Sequence, residues 1–243
     1  MASTSEVGHA KNVANLQDLI EFITAYGATY NPSKSNLQLP QILALKAAAE
    51  TSLTEVIAKN TDFNTKVNHR VIAFSDVKPL STRLVAALQT TDASEQTIDD
   101  AKTFNNKIQG KGSSAPKTPL NPLEPAPKTI SNSQQSYDQL IQHFTGLKSV
   151  LESEPTYAPN ETELQIVTLD TKITDFNQKN TAVAQTYTAV SNSRIARDKV
   201  LYTDQNSIYE TAKEVKLYVK ALFGANSPEF AQVKGIDFRK PKL

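Results

Sequence analysis

Apolar side chains recur at steps of three and four along two long stretches of this chain, the spacing of a helix with one covered face. In the first, Leu39, Ile42, Ala49, Leu53, Val56, Phe63, Val67 and Phe74 share a heptad seam, with Lys46, Asn60 and Arg70 at the seam positions between them. In the second, from Asn160 to Leu201, the seam reads Ile166, Leu169, Ile173, Phe176, Val183, Tyr187, Val190 and Leu201, interrupted by Asn180, Arg194 and Arg197. Roughly forty residues without glycine or proline predict one helix of about 60 Å there. Asn160 with Glu163 reads as its capping box. The earlier helix is expected to begin at Leu39 or to kink at Pro40.

Shorter amphipathic segments flank both. Leu16, Leu19, Ile20 and Ile23 mark one before the first long helix; Tyr137, Leu140, Ile141, Phe144, Leu147 and Leu151 mark one before the second. Leu80, Leu84, Val85 and Leu88 predict a third helix, and Ile98, Ala101 and Phe104 a fourth. Gly224 ends a helix, and Ser227-Pro228-Glu229 caps a short one. After Gly235, Ile236 and Phe238 alternate with Asp237 and Arg239, the two-residue period of an extended segment lying in a groove. Arg239, Lys240 and Lys242 make a small basic tail.

Much of this pattern occurs twice. Tyr157-Ala158-Pro159-Asn160 echoes Tyr30-Asn31-Pro32-Ser33, and Leu37, Leu39, Ile42, Val56 and Arg70 match Leu164, Ile166, Leu169, Val183 and Arg197 at one offset. Tyr26 and Tyr30 match Leu147 and Leu151 on the preceding helices. An insertion of two helical turns then pairs Val85 with Val219 and Leu88 with Leu222. Between the halves, 109–133 holds five prolines and few apolar residues, a linker composition. The expected fold is therefore all-α: two tandem up-and-down helical bundles from an internal duplication, with long central helices, joined by a Pro-rich linker. The expected organisation is an N-terminal arm (1–11), a first bundle (12–108), the linker (109–133), a second bundle (134–233) and an extended basic tail (234–243).

Composition narrows the function classes. Lys and Arg number 26 against 25 Asp and Glu, so the net charge of +1 gives no electrostatic reason to expect nucleic acid. With no cysteine, disulfides, thiol nucleophiles and thiolate metal sites are excluded. No apolar run is long enough for a membrane span, and the N-terminus lacks the pattern of a leader, which predicts a cytoplasmic protein; export by a route without a classical signal stays open. His9, His69 and His143 are scattered, with none of the spacings of a helical metal site. Neither a phosphate-cradling glycine loop nor a nucleophile elbow occurs. Enzymatic activity, catalytic residues, cofactors and metals are accordingly not expected.

Polar residues on the seam are the unusual feature. Either the seam drifts toward solvent at Arg70, Arg194 and Arg197 and their stems lie along it, or the arginines pair with a neighbouring helix or subunit and set register. Together with Ile236 and Phe238 they are the candidate interaction residues. The expected function is that of a non-enzymatic structural protein, self-assembling into a homo-oligomer or filament through helical surfaces and an exchanged arm or linker. The alternatives are a monomeric adaptor that binds another protein and a helical pore-forming toxin, the latter lacking an apolar hairpin to insert.

The ending Phe223-Gly224-Ala225-Asn226-Ser227-Pro228-Glu229-Phe230-Ala231-Gln232-Val233-Lys234-Gly235-Ile236-Asp237-Phe238 resembles the ends of helical proteins of unknown function common in Bacteroidetes bacteria. The resemblance implies an all-helical fold and a bacterial source. It brings no activity with it.

Overall fold

The computed structural model describes residues 8–111 and 135–241, and among these every regular element is helical. Eight α-helices follow in order: α1 (His9–Ala25), α2 (Leu39–Ala73), α3 (Val77–Leu88), α4 (Glu95–Gln109), α5 (Tyr137–Glu152), α6 (Ile166–Asp198), α7 (Ile208–Phe223) and α8 (Pro228–Lys234). Ser94, Ser136, Ser207 and Ser227 cap α4, α5, α7 and α8, each hydroxyl accepting from the backbone N–H three residues on. Pro40 and Pro79 both fall in the first turn of a helix, where no backbone donor is needed, so neither kinks nor breaks it. The N-terminal arm is shorter than expected: His9, Ala10 and Lys11 already belong to α1, and 1–7 lie outside the described residues.

The seam of α2 persists along its length, with Ile42 and Ala49 buried and Val56, Phe63, Val67 and Arg70 half-buried. In α6 one edge of the expected seam holds throughout, with Leu169, Phe176, Val183 and Val190 buried and Leu201 buried just beyond, while the other edge turns outward in the second half. Tyr187 is 62% exposed and Arg194 also faces solvent, while Thr186 and Ser193, one residue earlier, turn inward. A straight α-helix drifts relative to a strict heptad, so the covered stripe rotates by a fraction of a residue per turn, and one edge of the seam is exposed while the other stays buried. The expected capping box is also corrected. A 3₁₀ turn, Thr162–Leu164, precedes α6, and Glu163 pairs with Arg83 at 2.6 Å instead of answering Asn160.

What stands ahead of α6 also stands ahead of α2. Tyr30 donates its hydroxyl to the Leu37 carbonyl at 2.8 Å and Tyr157 to that of Leu164 at 2.9 Å. Gln38 and Gln165 reach back to the carbonyls of Pro32 and Pro159 at 3.5 and 3.4 Å. A 3₁₀ turn sits inside each loop, at Ser35–Leu37 and Thr162–Leu164. All these pairs are 127 positions apart. Tyr30 lies in the turn before α2, as Tyr157 lies in the turn before α6.

Buried positions of the shorter helices that follow also share a spacing. Val77, Leu80, Ser81, Leu84 and Leu88 of α3 and Ile208, Thr211, Ala212, Val215 and Val219 of α7 are buried at one constant spacing of 131. Pairing Leu88 with Leu222 would match a fully buried residue to one 36% exposed. α6 runs on into a π-helical turn, Lys199–Thr203, closed by the Asp204 N–H on the Lys199 carbonyl at 3.2 Å.

The described chain forms two compact units. One comprises the chain up to Phe63 together with that from Thr186 onward; the other is Asn64–Gln185. The core of the first packs Val13, Leu16, Leu19, Ile20 and Ile23 of α1 with Ile42 and Ala49 of α2, Val215 and Val219 of α7, and Val233 of α8. In the second, Leu84 and Leu88 of α3, Ala101 and Ile108 of α4, Phe144, Leu147 and Leu151 of α5, and Leu169 and Phe176 of α6 share a separate core. Gly146 lets α4 approach α5 closely, since a Cβ there would enter the Phe104 ring.

These units do not coincide with the expected bundles 12–108 and 134–233. A helix of about 50 Å cannot be covered end to end by neighbours of about 25 Å, so each long helix needs two sets of partners. The second set comes from the other half of the sequence. From 112 on the proline-rich stretch lies outside the described residues, but both its flanks belong to the second unit, where Gln135 Nε2 donates to the Lys107 carbonyl at 2.8 Å. Gln109, expected in the linker, closes α4, with Gly110 at φ 76° as its left-handed cap.

Candidate functional site

Asn12 and Asn15 sit three residues apart on the apolar stripe of α1, so both point where Val13 and Leu16 point, into the first unit. They are only 5% and 8% exposed. A polar side chain so placed needs a partner, and the partner is the C-terminal tail. After Gly235 the chain runs extended; Ile236 and Phe238 pack against the core, while Asp237 and Arg239 face outward and pair at 2.6 Å.

The tail is held by its backbone. Asn12 Nδ2 donates to the Arg239 carbonyl at 2.8 Å, and Asn12 Oδ1 accepts the Arg239 N–H at 3.1 Å. Asn15 Nδ2 donates to the Asp237 carbonyl at 2.5 Å, and Lys216 Nζ of α7 donates to that of Ile236. Lys216 also lies 5.3 Å from the centre of the Phe238 ring. Burial lowers its ammonium pKa, with Asp237 opposing the shift. Farther along, Tyr26 donates to the Glu229 carbonyl of α8 at 3.0 Å and meets Phe223 edge-on at 5.0 Å.

A polar chain extends behind this clamp. The second amide hydrogen of Asn12 meets the Tyr202 hydroxyl at 3.1 Å, and that oxygen lies 2.9 Å from His9 Nδ1. With the hydroxyl accepting from Asn12, its own proton serves Nδ1 of a neutral His9. Burial, then the nearby Arg197 charge, holds the His9 pKa below its usual value, and burial raises that of Tyr202. Arg197 itself is bound through Nε and Nη2 to Asp198 Oδ1 at 2.9 and 2.8 Å.

The other seam arginines lie elsewhere. Arg70, in the second unit, stacks its guanidinium 4.0 Å over the Tyr137 ring and donates Nη1 to Asn180 Oδ1 at 2.8 Å. Asn180 in turn donates to Asp138 at 2.7 Å. The Tyr137 ring meets Phe74 edge-on at 4.8 Å, and Phe74 stacks on Phe176 at 4.2 Å. Among the described residues the buried Arg70 Nε has no hydrogen-bond partner. Exposed Arg194 reaches Asn60 Oδ1 only at 3.5 Å, the outer limit of a hydrogen bond.

Of the five residues singled out from sequence, then, Arg197, Ile236 and Phe238 are in or beside the tail groove, and Arg70 and Arg194 are not. Asn12, Asn15, His9, Tyr202 and Lys216 were missed. Two asparagines on an otherwise apolar stripe were the available signal. Among the described residues no three His, Asp or Glu side chains gather as a metal would require, and no helix is long and apolar enough to cross a membrane. The sequence matches no protein-family model, and neither the curated proteins nor the solved structures include a significant match to it.

Proposed function

We propose that this is a structural protein that associates with copies of itself, and that the C-terminal tail is the exchanged arm. The observation that carries this reading is the way the tail is held. Asn12, Asn15 and Lys216 contact main-chain atoms of Ile236, Asp237 and Arg239, while the two apolar side chains fill the groove. An identical tail from a second copy offers the same main chain and the same two side chains, so exchange replaces every contact in kind. Internal duplication of a helical unit belongs to the same reading. It is supported by the loop bonds repeated at 127 residues and the buried positions repeated at 131.

The test is light scattering on the full chain over a wide concentration range. Association raises the mass above 26.6 kDa as concentration increases, and Phe238→Asp, which puts a charge into the groove, abolishes the rise. A mass of one chain throughout would remove the proposal and leave the adaptor reading, in which the groove serves another protein.

A further inference from the structure

Each compact unit draws on both halves of the sequence. In the first, α1 and the start of α2 pack with α7, α8 and the tail; in the second, α5 and the start of α6 pack with α3 and α4. The helix pairs in closest contact include α1 with α7 and α1 with α8 on one side, and α3 and α4 with α5 on the other. Neither set is confined to one half. The four backbone contacts of the tail likewise divide between the halves, with Asn12 and Asn15 in one and Lys216 in the other.

From this we infer that the two halves of the chain, 8–111 and 135–241, are obligate partners of each other, a fused pair with exchanged elements and not a string of two domains. The apolar face of α1 is an interaction surface whose partner is the α7–α8 segment of the other half. That of α5 is an interaction surface for α3 and α4. Val13, Leu16, Leu19 and Ile23 share one core with Val215, Val219 and Val233 of the other half as well as with Ile42 and Ala49 of their own, and without the other half part of this stripe is open to water. The covalent connection through 112–134 is dispensable once the halves have met, because its two ends, at Gly110 and Gln135, lie side by side in one unit. The inference does not depend on association between copies.

A specific protease sequence inserted after Pro119 in the full chain allows the connection to be cut after folding. At equal concentration the cut protein should run natively as one species with the mass of the uncut protein, and give two fragments only on denaturation. Fragments that separate natively would overturn the inference. Hydrogen exchange on two cavity variants excludes simple adhesion of tandem domains. Val215→Ala in α7 should speed exchange in α1 by about tenfold or more and leave α5 unchanged, and Leu84→Ala in α3 should do the reverse. Loss of protection in α5 from Val215→Ala, or in α1 from Leu84→Ala, would contradict it.

Discussion

Asn12 holds Arg239 at both backbone groups, donating to its carbonyl at 2.8 Å and accepting its N–H at 3.1 Å. These residues are 227 positions apart, so the contact ties the beginning of the described chain to its end. Asn12→Ala removes both bonds and the one to the Tyr202 hydroxyl, which keeps His9 as its partner, at a cost of about 1–3 kcal/mol in urea unfolding. Asn12→Asp keeps the acceptor and loses the donors. The Arg239 amide should therefore stay protected in Asn12→Asp and exchange freely in Asn12→Ala.

The phenols give a pH dependence. Burial pushes Tyr157 up to about 12 and raises Tyr30, Tyr26 and Tyr202 as well. The neutral phenol is the form the fold accommodates, so this stability is complete below pH 10 and is lost as pH climbs from 10 through 12. Tyr157→Phe should flatten the alkaline loss and, by giving up the bond to the Leu164 carbonyl, cost about 1 kcal/mol at neutral pH. Thermal melts at pH 7 and pH 11 separate the two effects.

Acid acts on His9 with the opposite sign. Its lowered pKa means the folded state prefers the neutral ring, so the contribution is intact above the ordinary histidine range and fades as pH falls through the lowered value. Protonation removes Nδ1 as acceptor for Tyr202 and adds a cation near Arg197, which Asp198 partly offsets. NMR should show His9 titrating below a free histidine. The Arg239 amide should gain exchange over the same interval, and His9→Gln should lose that response.

Gly146 is required by packing, not by its backbone angle. Gly146→Ala drives a methyl into the Phe104 ring between α4 and α5 and should lower stability by about 1–3 kcal/mol. Gly235→Ala, with open space around it, serves as the control and should change the melting temperature little.

Helices were readable from spacing because burial and the 3.6-residue period coincide: Ile42, Ala49, Leu169 and Phe176 lie on the seam that their spacing implies. Pairing between helices was not readable, since apolar stripes on α3 and α7 are equally good covers for α1 and nothing in either stripe names its partner. The tail was recognised as extended from the alternation of Ile236 and Phe238. What holds it escaped notice because a buried asparagine differs from a solvated one only by the chain that passes over it, and that chain is more than 200 residues away.

Mixing two full-length populations with different affinity tags, at high concentration and with gentle warming to let the tails release, tests arm exchange most directly. Capture on one tag should retain the other, and Phe238→Asp in both populations should prevent it. Recovery of each tag alone from the unsubstituted mixture, with single-chain mass, would contradict it.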